Sequence, residues 1–257
     1  HRPRANSDWG GLDTHRPGLF WCDPEIEPAT AGQAVAARVA AWLGRAGGHP
    51  TAVTAVVDAA RCRACNTCVE ICEFGAPQLI GQEPQRAAWI DPTICVGCGT
   101  CAAYCPSDAI SAGLFTDGQL EAMLGQLASP GHCIVFTCNW GAYSALESAG
   151  AFRLEYPAAI RPLKVPCLGR LSPGVILKAL EKGADGVLLL GCPPGECHAE
   201  FGNRRAEEVF IQSRAIADLL GFREDQLKLD WLTAGEGEHF VERVQRFVKE
   251  LNGVQEP

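Results

Sequence analysis

From residue 117 onward, apolar and polar positions fall into alternating blocks of two lengths. Apolar runs of strand length occupy 133–137, 160–165, 186–190 and 227–232, and longer stretches of helical character separate them. A helix is expected around 142–148. Ser172-Pro173 opens another that ends before Gly183, with serine at the N-cap, proline in the first turn and glycine just past the end. Asn203 is expected to cap a third, with Glu207 and Glu208 in its early turns, where the helix dipole favours negative charge, and Gly221 to stop it. Phe240, Val241, Val244, Phe247, Val248 and Leu251 follow one face of a fourth. This alternation predicts a small α/β domain with a parallel sheet over 131–257, preceded by a linker helix at 114–130.

The pattern upstream is different. Residues 62–72 recur at 95–105 with the same C-x2-C-x2-C-x3-C spacing. Short β-prone runs precede the copies, at 51–57 and 87–90, and follow them, at 77–80 and 109–111. Residues 49–113 therefore read as two strand-loop-helix-strand units related by a pseudo-twofold. The first 48 residues hold a Gly/Pro-rich stretch, a strand-like run at 18–21 and an Ala-rich helix at about 30–43. Alone, that is too little to form a domain.

Composition narrows the function. The chain has 257 residues, 47% hydrophobic and 20% charged, as in an ordinary globular protein. Its net charge of −8 leaves no electrostatic footprint for phosphate, so nucleic acid is set aside as a partner. No run approaches the roughly 20 apolar residues of a membrane span. The N-terminus has no signal-peptide-like stretch behind it and no initiator Met, so any targeting segment upstream is invisible. The 14 cysteines are the outlying feature. That many thiols imply a reducing compartment, and the cytoplasm is the expected location.

The C-x2-C-x2-C-x3-C-P run resembles the signature of two-cluster bacterial ferredoxins, over about 65 residues. Three thiolates on one tight loop grip three corners of a 4Fe-4S cubane, and the fourth reaches the cluster of the other copy. The resemblance implies one cluster on Cys62, Cys65, Cys68 and Cys105, and a second on Cys95, Cys98, Cys101 and Cys72. The second copy keeps its proline as Pro106, whereas the first has Glu73, whose charge should bias its cluster toward lower potential. Disulfides suit neither the compartment nor cysteines crowded on one loop. Two zinc sites would leave the third cysteine of each run without a reason.

Six cysteines remain. Cys138, Cys167 and Cys192 each lie just past the carboxyl end of an expected strand, and Cys197 follows in the Cys192 loop. In a parallel sheet those ends share one rim, where ligands bind. Four thiolates there fit a 2Fe-2S cluster and a zinc ion equally well, and spacing does not decide. Cys133 starts its strand and should be a small buried hydrophobe at the opposite rim. His198 is a mixed-site ligand, a neighbour of a ligand or a surface residue. Arg170 is a donor to cluster sulfur, a partner for a carboxylate or an ordinary surface arginine.

The segments CNWGAY (138–143), CLGR (167–170), GADGVLLLGCPPGECH (183–198) and GN (202–203) resemble the iron-sulfur delta subunit of methyl-viologen-reducing hydrogenases, over about 130–252. That resemblance implies a 2Fe-2S cluster on Cys138, Cys167, Cys192 and Cys197. It also implies electron transfer between a NiFe hydrogenase or formate dehydrogenase and the A subunit of heterodisulfide reductase. One departure is visible: the family usually has a second cysteine where this chain has Gly141.

Residues 12–43, with DTHRPGLFWCD and the Ala-rich helix, resemble the closing segment of thioredoxin-reductase-like flavoproteins. The A subunits of heterodisulfide reductases carry that segment directly before a two-cluster ferredoxin domain. The strand ends in Cys22-Asp23 instead of Gly-Asp, and no G-x-G-x-x-G occurs. Binding of FAD by these residues alone is not expected, and Asp23 would touch FAD only in a longer chain or complex. The bland alternative is an exposed packing helix.

The sequence thus predicts an α+β two-cluster ferredoxin domain (49–113), a linker helix, a small α/β parallel-sheet domain (131–257) and an N-terminal flavoprotein-like remnant (1–48). The expected role is an electron relay with two 4Fe-4S clusters and one 2Fe-2S cluster, working within a heterodisulfide-reductase-type complex. No acid-base or nucleophilic constellation stands out. Two other readings stay open: a zinc-stabilised scaffold with a ferredoxin module, and an iron-sulfur redox sensor.

Overall fold

The structure is a computed structural model that describes residues 28–45 and 53–253. The chain divides into two compact units, 1–52 and 53–257. The first is described only through helix α1 (Pro28–Arg45), where the Ala-rich stretch is expected to be helical. The expected strand at 18–21, Cys22 and Asp23 lie outside the described residues. Among the described residues no helix is long and apolar enough to cross a membrane.

The second unit opens with six short elements: β1 (Val56–Val57), α2 (Thr67–Ile71), β2 (Pro77–Ile80), β3 (Ala87–Ile90), α3 (Thr100–Ala103) and β4 (Ile110–Ser111). β1 pairs antiparallel with β4, and β2 with β3. The outer strands of the repeat thus meet each other, and so do the inner ones, which interlocks the copies. Helices α2 and α3 both start after a left-handed residue, Asn66 (φ 70°) and Gly99 (φ 82°). Asparagine and glycine tolerate that conformation best, and it turns the chain sharply between the second and third cysteine of each run. The core here is mostly small: Ala55, Ala76, Ala88, Ala102 and Ala112 with Ile90 and Ile110. Cys62, Cys72, Cys95, Cys101 and Cys105 pack against it.

Next comes α4 (Asp117–Leu127), where a helix is expected. Its start is a reciprocal cap: Thr116 Oγ1 accepts from the Gln119 amide at 3.2 Å, and the Thr116 amide donates to Gln119 Oε1 at 3.0 Å. Such a cap contributes about 1 kcal/mol. The remaining elements are β5 (Cys133–Cys138), α5 (Ala142–Ala151), β6 (Ile160–Val165), α6 (Pro173–Glu181), β7 (Gly186–Gly191), α7 (Gly202–Leu219), β8 (Leu227–Trp231) and α8 (Gly237–Leu251). The four strands form one parallel sheet, ordered β6-β5-β7-β8.

The central strands β5 and β7 are buried at every position, which is why each reads as an unbroken apolar run. Helix α5 packs on α8, and α6 on both α4 and α7. The chain leaves β5 in one direction, to β6, and leaves β7 in the other, to β8. Right-handed crossovers then place α5 and α6 on opposite faces. The reversal opens a crevice at the carboxyl ends of β5 and β7, where open α/β sheets bind ligands.

One local expectation fails. Helix α7 begins at Gly202, and Asn203 lies inside its first turn without capping it. The Asn203 Nδ2 donates to the Cys192 loop, while, among the described residues, its Oδ1 accepts only from the adjacent Arg204 amide. Non-local hydrogen bonds there override the cap preference.

Candidate metal centres

The ferredoxin part contains two clefts. One is lined by Cys62, Cys65, Cys68 and Cys105, the other by Cys72, Cys95, Cys98 and Cys101. Each brings together three cysteines of one run and the last cysteine of the other. The thiols are close enough to perturb one another: Cys101 is pushed up to about 12 by burial and by the charges of Cys98, Cys95 and Cys72. Cys68 is raised by burial and by Cys62 and Cys65. Gathered thiols of this kind would need a bound cation to ionise together.

The two nests differ in their hydrogen bonds. Around the first, amides of Ala64 and Ala88 donate to Cys62 Sγ at 3.5 and 3.4 Å, and that of Ala109 to Cys105 Sγ at 3.3 Å. Thr67 Oγ1 lies 3.4 Å from Cys65 Sγ, and this bond lowers the Cys65 pKa. Ser107 Oγ lies 3.6 Å from Cys105 Sγ. Around the second, among the described residues, the side-chain contact to sulfur is Thr100 Oγ1 to Cys98 Sγ at 3.5 Å. Its cleft is closed instead by Ala199, Phe201, Gly202 and Arg205 of the α/β part, and Glu73 also lines it.

At the crevice of the parallel sheet, Cys138 ends β5, Cys192 follows β7, Cys167 follows β6, and Cys197 completes the Cys192 loop. Cys138 Sγ and Cys192 Sγ are 3.5 Å apart. Two thiolates on one tetrahedral metal with bonds of about 2.3 Å sit about 3.8 Å apart. Cys197 hydrogen-bonds to both Cys192 and Cys167, so the sulfurs form a chain 138-192-197-167. Among the described residues no three His, Cys, Asp or Glu side chains are grouped to hold a single ion.

Sharing protons along that chain splits the thiols. Cys138 falls to about 6, mainly through the Cys192 hydrogen bond and further through the amides of Ala142, Gly141 and Trp140 at the start of α5. Cys197 is also lowered, by Cys167 and Cys192, whereas Cys192 and Cys167 are raised by the same bonds and by burial.

Two glycines and one asparagine make the approach possible, and the local sequence pattern missed their roles. A Cβ at Gly202 would collide with Cys167 Sγ and come within 3.3 Å of Cys197 Sγ. One at Gly141 would lie 2.6 Å from the Leu232 carbonyl and 3.1 Å from Cys192 Sγ. Asn203 Nδ2 donates to the carbonyls of Pro193 at 2.8 Å and Cys192 at 3.5 Å, which holds the cysteine loop to α7. His198 stacks on the exposed Trp140 (5.1 Å, 9°), and its Nδ1 is 4.0 Å from Cys192 Sγ. Cys133 is buried at the start of β5, and its thiol is raised to about 11, chiefly by burial. It stands at the opposite end of that strand from Cys138.

The nests are neighbours. The turn Leu168–Arg170 after Cys167 packs on α3 and α7. A Cβ at Gly169 would be 2.8 Å from Thr100 Oγ1, and one at Gly99 would strike the Arg170 stem. Tyr104, after α3, reaches Glu208 on α7 at 3.5 Å. Arg170 resolves to the carboxylate alternative: it pairs with Asp117.

Known proteins resemble both parts of the chain. The family of methyl-viologen-reducing hydrogenase delta subunits matches residues 133–254, and the 4Fe-4S binding domain family matches 88–111. The A subunit of the ferredoxin:CoB-CoM heterodisulfide reductase of Methanosarcina mazei is 35% identical over 235 residues, 90% of this chain and 29% of the relative. The iron-sulfur D subunit of the vhc F420-non-reducing hydrogenase of Methanococcus voltae is 41% identical over 105 residues, 41% of this chain and 73% of the relative. The iron-sulfur D subunit of the F420-non-reducing hydrogenase of Archaeoglobus profundus is 37% identical over 114 residues, 44% of this chain and 83% of the relative. The chain therefore spans less than a third of the length of the heterodisulfide reductase relatives it matches.

Proposed function

The chain belongs to the family of methyl-viologen-reducing hydrogenase delta subunits, joined to a part like the C-terminal region of the heterodisulfide reductase A subunit, and from that premise we propose that it is an iron-sulfur electron relay. Cys62, Cys65, Cys68 and Cys105 would hold one 4Fe-4S cluster, and Cys72, Cys95, Cys98 and Cys101 the other. Cys138, Cys167, Cys192 and Cys197, linked in one sulfur chain, would hold a 2Fe-2S cluster, a reading supported by the likeness to the hydrogenase delta subunits. When bound, such clusters exchange single electrons. The chain's own residues fix the spacing, keep water out and tune the sulfurs.

The observation that carries the reading is the packing of Gly99 and Thr100, beside Cys98, against Gly169 and Arg170, beside Cys167. Two cysteine nests built from different folds share one wall. A relay needs that, and a scaffold does not. The partners proposed are a NiFe hydrogenase or a formate dehydrogenase on one side and a flavin-containing heterodisulfide-reductase-type complex on the other, in a reducing cytoplasm. Residues 1–48 are proposed, on sequence resemblance, as the close of a flavin domain, in which Asp23 would meet FAD.

Elemental analysis of anaerobically prepared protein tests this. The relay predicts about ten irons and ten acid-labile sulfides per chain, two clusters of four and one of two. One zinc with about eight irons would replace it with the zinc-stabilised scaffold.

A further inference from the structure

Arg170 is the one charged side chain that is fully buried among the described residues, 1% exposed. It closes the turn that follows Cys167. Its stem lies against Gly99, between Cys98 and Cys101, where a Cβ would meet Arg170 Cγ at 3.1 Å and Cβ at 3.3 Å. Its head is only partly satisfied. Nε donates to the Phe115 carbonyl at 3.0 Å and Nη2 to Asp117 Oδ1 at 2.7 Å, whereas Nη1 is buried with no hydrogen-bond partner.

A guanidinium carries five N–H donors, and burying it is costly unless opposite charge and hydrogen bonds compensate. Asp117 is half exposed, so water weakens what it offers. A leucine or methionine would fill the same wall without that cost. The unmet positive charge therefore needs a second anion, and what lies across Gly99 is the nest of Cys72, Cys95, Cys98 and Cys101. A 4Fe-4S cluster on four thiolates is anionic and gains one further negative charge on reduction.

Resting on the cluster assignment above, we propose that Arg170 is a fixed countercharge for the electron held in the nest of Cys72, Cys95, Cys98 and Cys101. It favours the reduced state of that cluster and leaves the nest of Cys62, Cys65, Cys68 and Cys105 unaffected. The step is the gain of one electron from a low-potential one-electron donor, with no bond made or broken. Arg170 acts by charge and position and takes no part in ligation. Asp117 sets how much of that charge the cluster feels.

A potentiometric titration of the full chain followed by low-temperature EPR tests the proposal, with the cluster of Cys72, Cys95, Cys98 and Cys101 assigned by its loss in Cys98→Ser. Arg170→Met should lower the reduction constant of that cluster about tenfold, about 59 mV for one electron, and leave the other 4Fe-4S cluster in place. Arg170→Lys should recover most of the shift. Asp117→Asn should move the same cluster the opposite way, and it decides the matter if Arg170→Met fails to assemble. Equal shifts in Arg170→Met and Arg170→Lys, no shift in Asp117→Asn, or a joint movement of both 4Fe-4S clusters would overturn it. Failure of the cluster assignment itself shows separately, as a single 4Fe-4S signal in the unsubstituted chain.

Discussion

The two cysteine runs share one spacing, yet they sit in different surroundings. The first nest is wrapped by its own module: three backbone amides and two hydroxyls contact its sulfurs, and Cys65 is exposed. The second nest is roofed by the α/β part, with Arg205 and Glu73 at its walls and the stem of the buried Arg170 against Gly99. Ligand spacing decides what is bound. Hydrogen bonds, burial and charge around the sulfurs decide how readily it takes an electron. One motif, used twice, thus yields an outward-facing site and a junction site.

Removing one ligand from each nest gives the largest contrast. Cys65→Ser and Cys98→Ser should each cost about four irons per chain. Only Cys98→Ser should also separate the 2Fe-2S signal from its neighbour, which EPR of the reduced variants reads directly. If both substitutions affected the 2Fe-2S signal alike, the distinction between outer and junction nests would fall.

Next in size is Gly202→Ala, whose added methyl collides with Cys167 Sγ. It should cost about two irons, leave both 4Fe-4S signals and confine the damage to the α/β part. Iron and sulfide analysis checks it. Asn203→Ala removes the tie from α7 to the Pro193 carbonyl, and about 1–3 kcal/mol of stability should go with that bond. Anaerobic urea denaturation measures it. Smallest is Thr67→Val, which deletes a donor to Cys65 Sγ. It should move only the outer cluster, to more negative potential and by less than Arg170→Met moves the junction cluster, in an EPR titration.

Much of this was legible in the chain itself, and the exceptions have a common cause. Strands β5 and β7 announce themselves because both of their faces are buried, so no polar alternation interrupts them. The repeated cysteine spacing anticipates the two groups of four that line the two clefts, and parallel strand ends predict which rim gathers Cys138, Cys167 and Cys192. What stayed hidden depends on partners far along the chain. Asn203 obeys a local capping rule on paper, but the carbonyl of Pro193, ten residues earlier, takes its amide. Arg170 has its carboxylate 53 residues upstream at Asp117, and its other contact at Gly99. The need for glycine at 141 and 202 appears only once β8 and the cysteine loops close around those positions. Spacing encodes the nests, and tertiary packing encodes their inequality.

The central claim is that three thiolate nests hold iron in line, with the second 4Fe-4S cluster beside the 2Fe-2S cluster. Low-temperature EPR of the fully reduced chain tests this most directly. The account predicts a 2Fe-2S signal split by a reduced 4Fe-4S neighbour, the splitting lost in Cys98→Ser and kept in Cys65→Ser. A spectrum with no 2Fe-2S signal, or with one that shows no interaction in the unsubstituted protein, would contradict it.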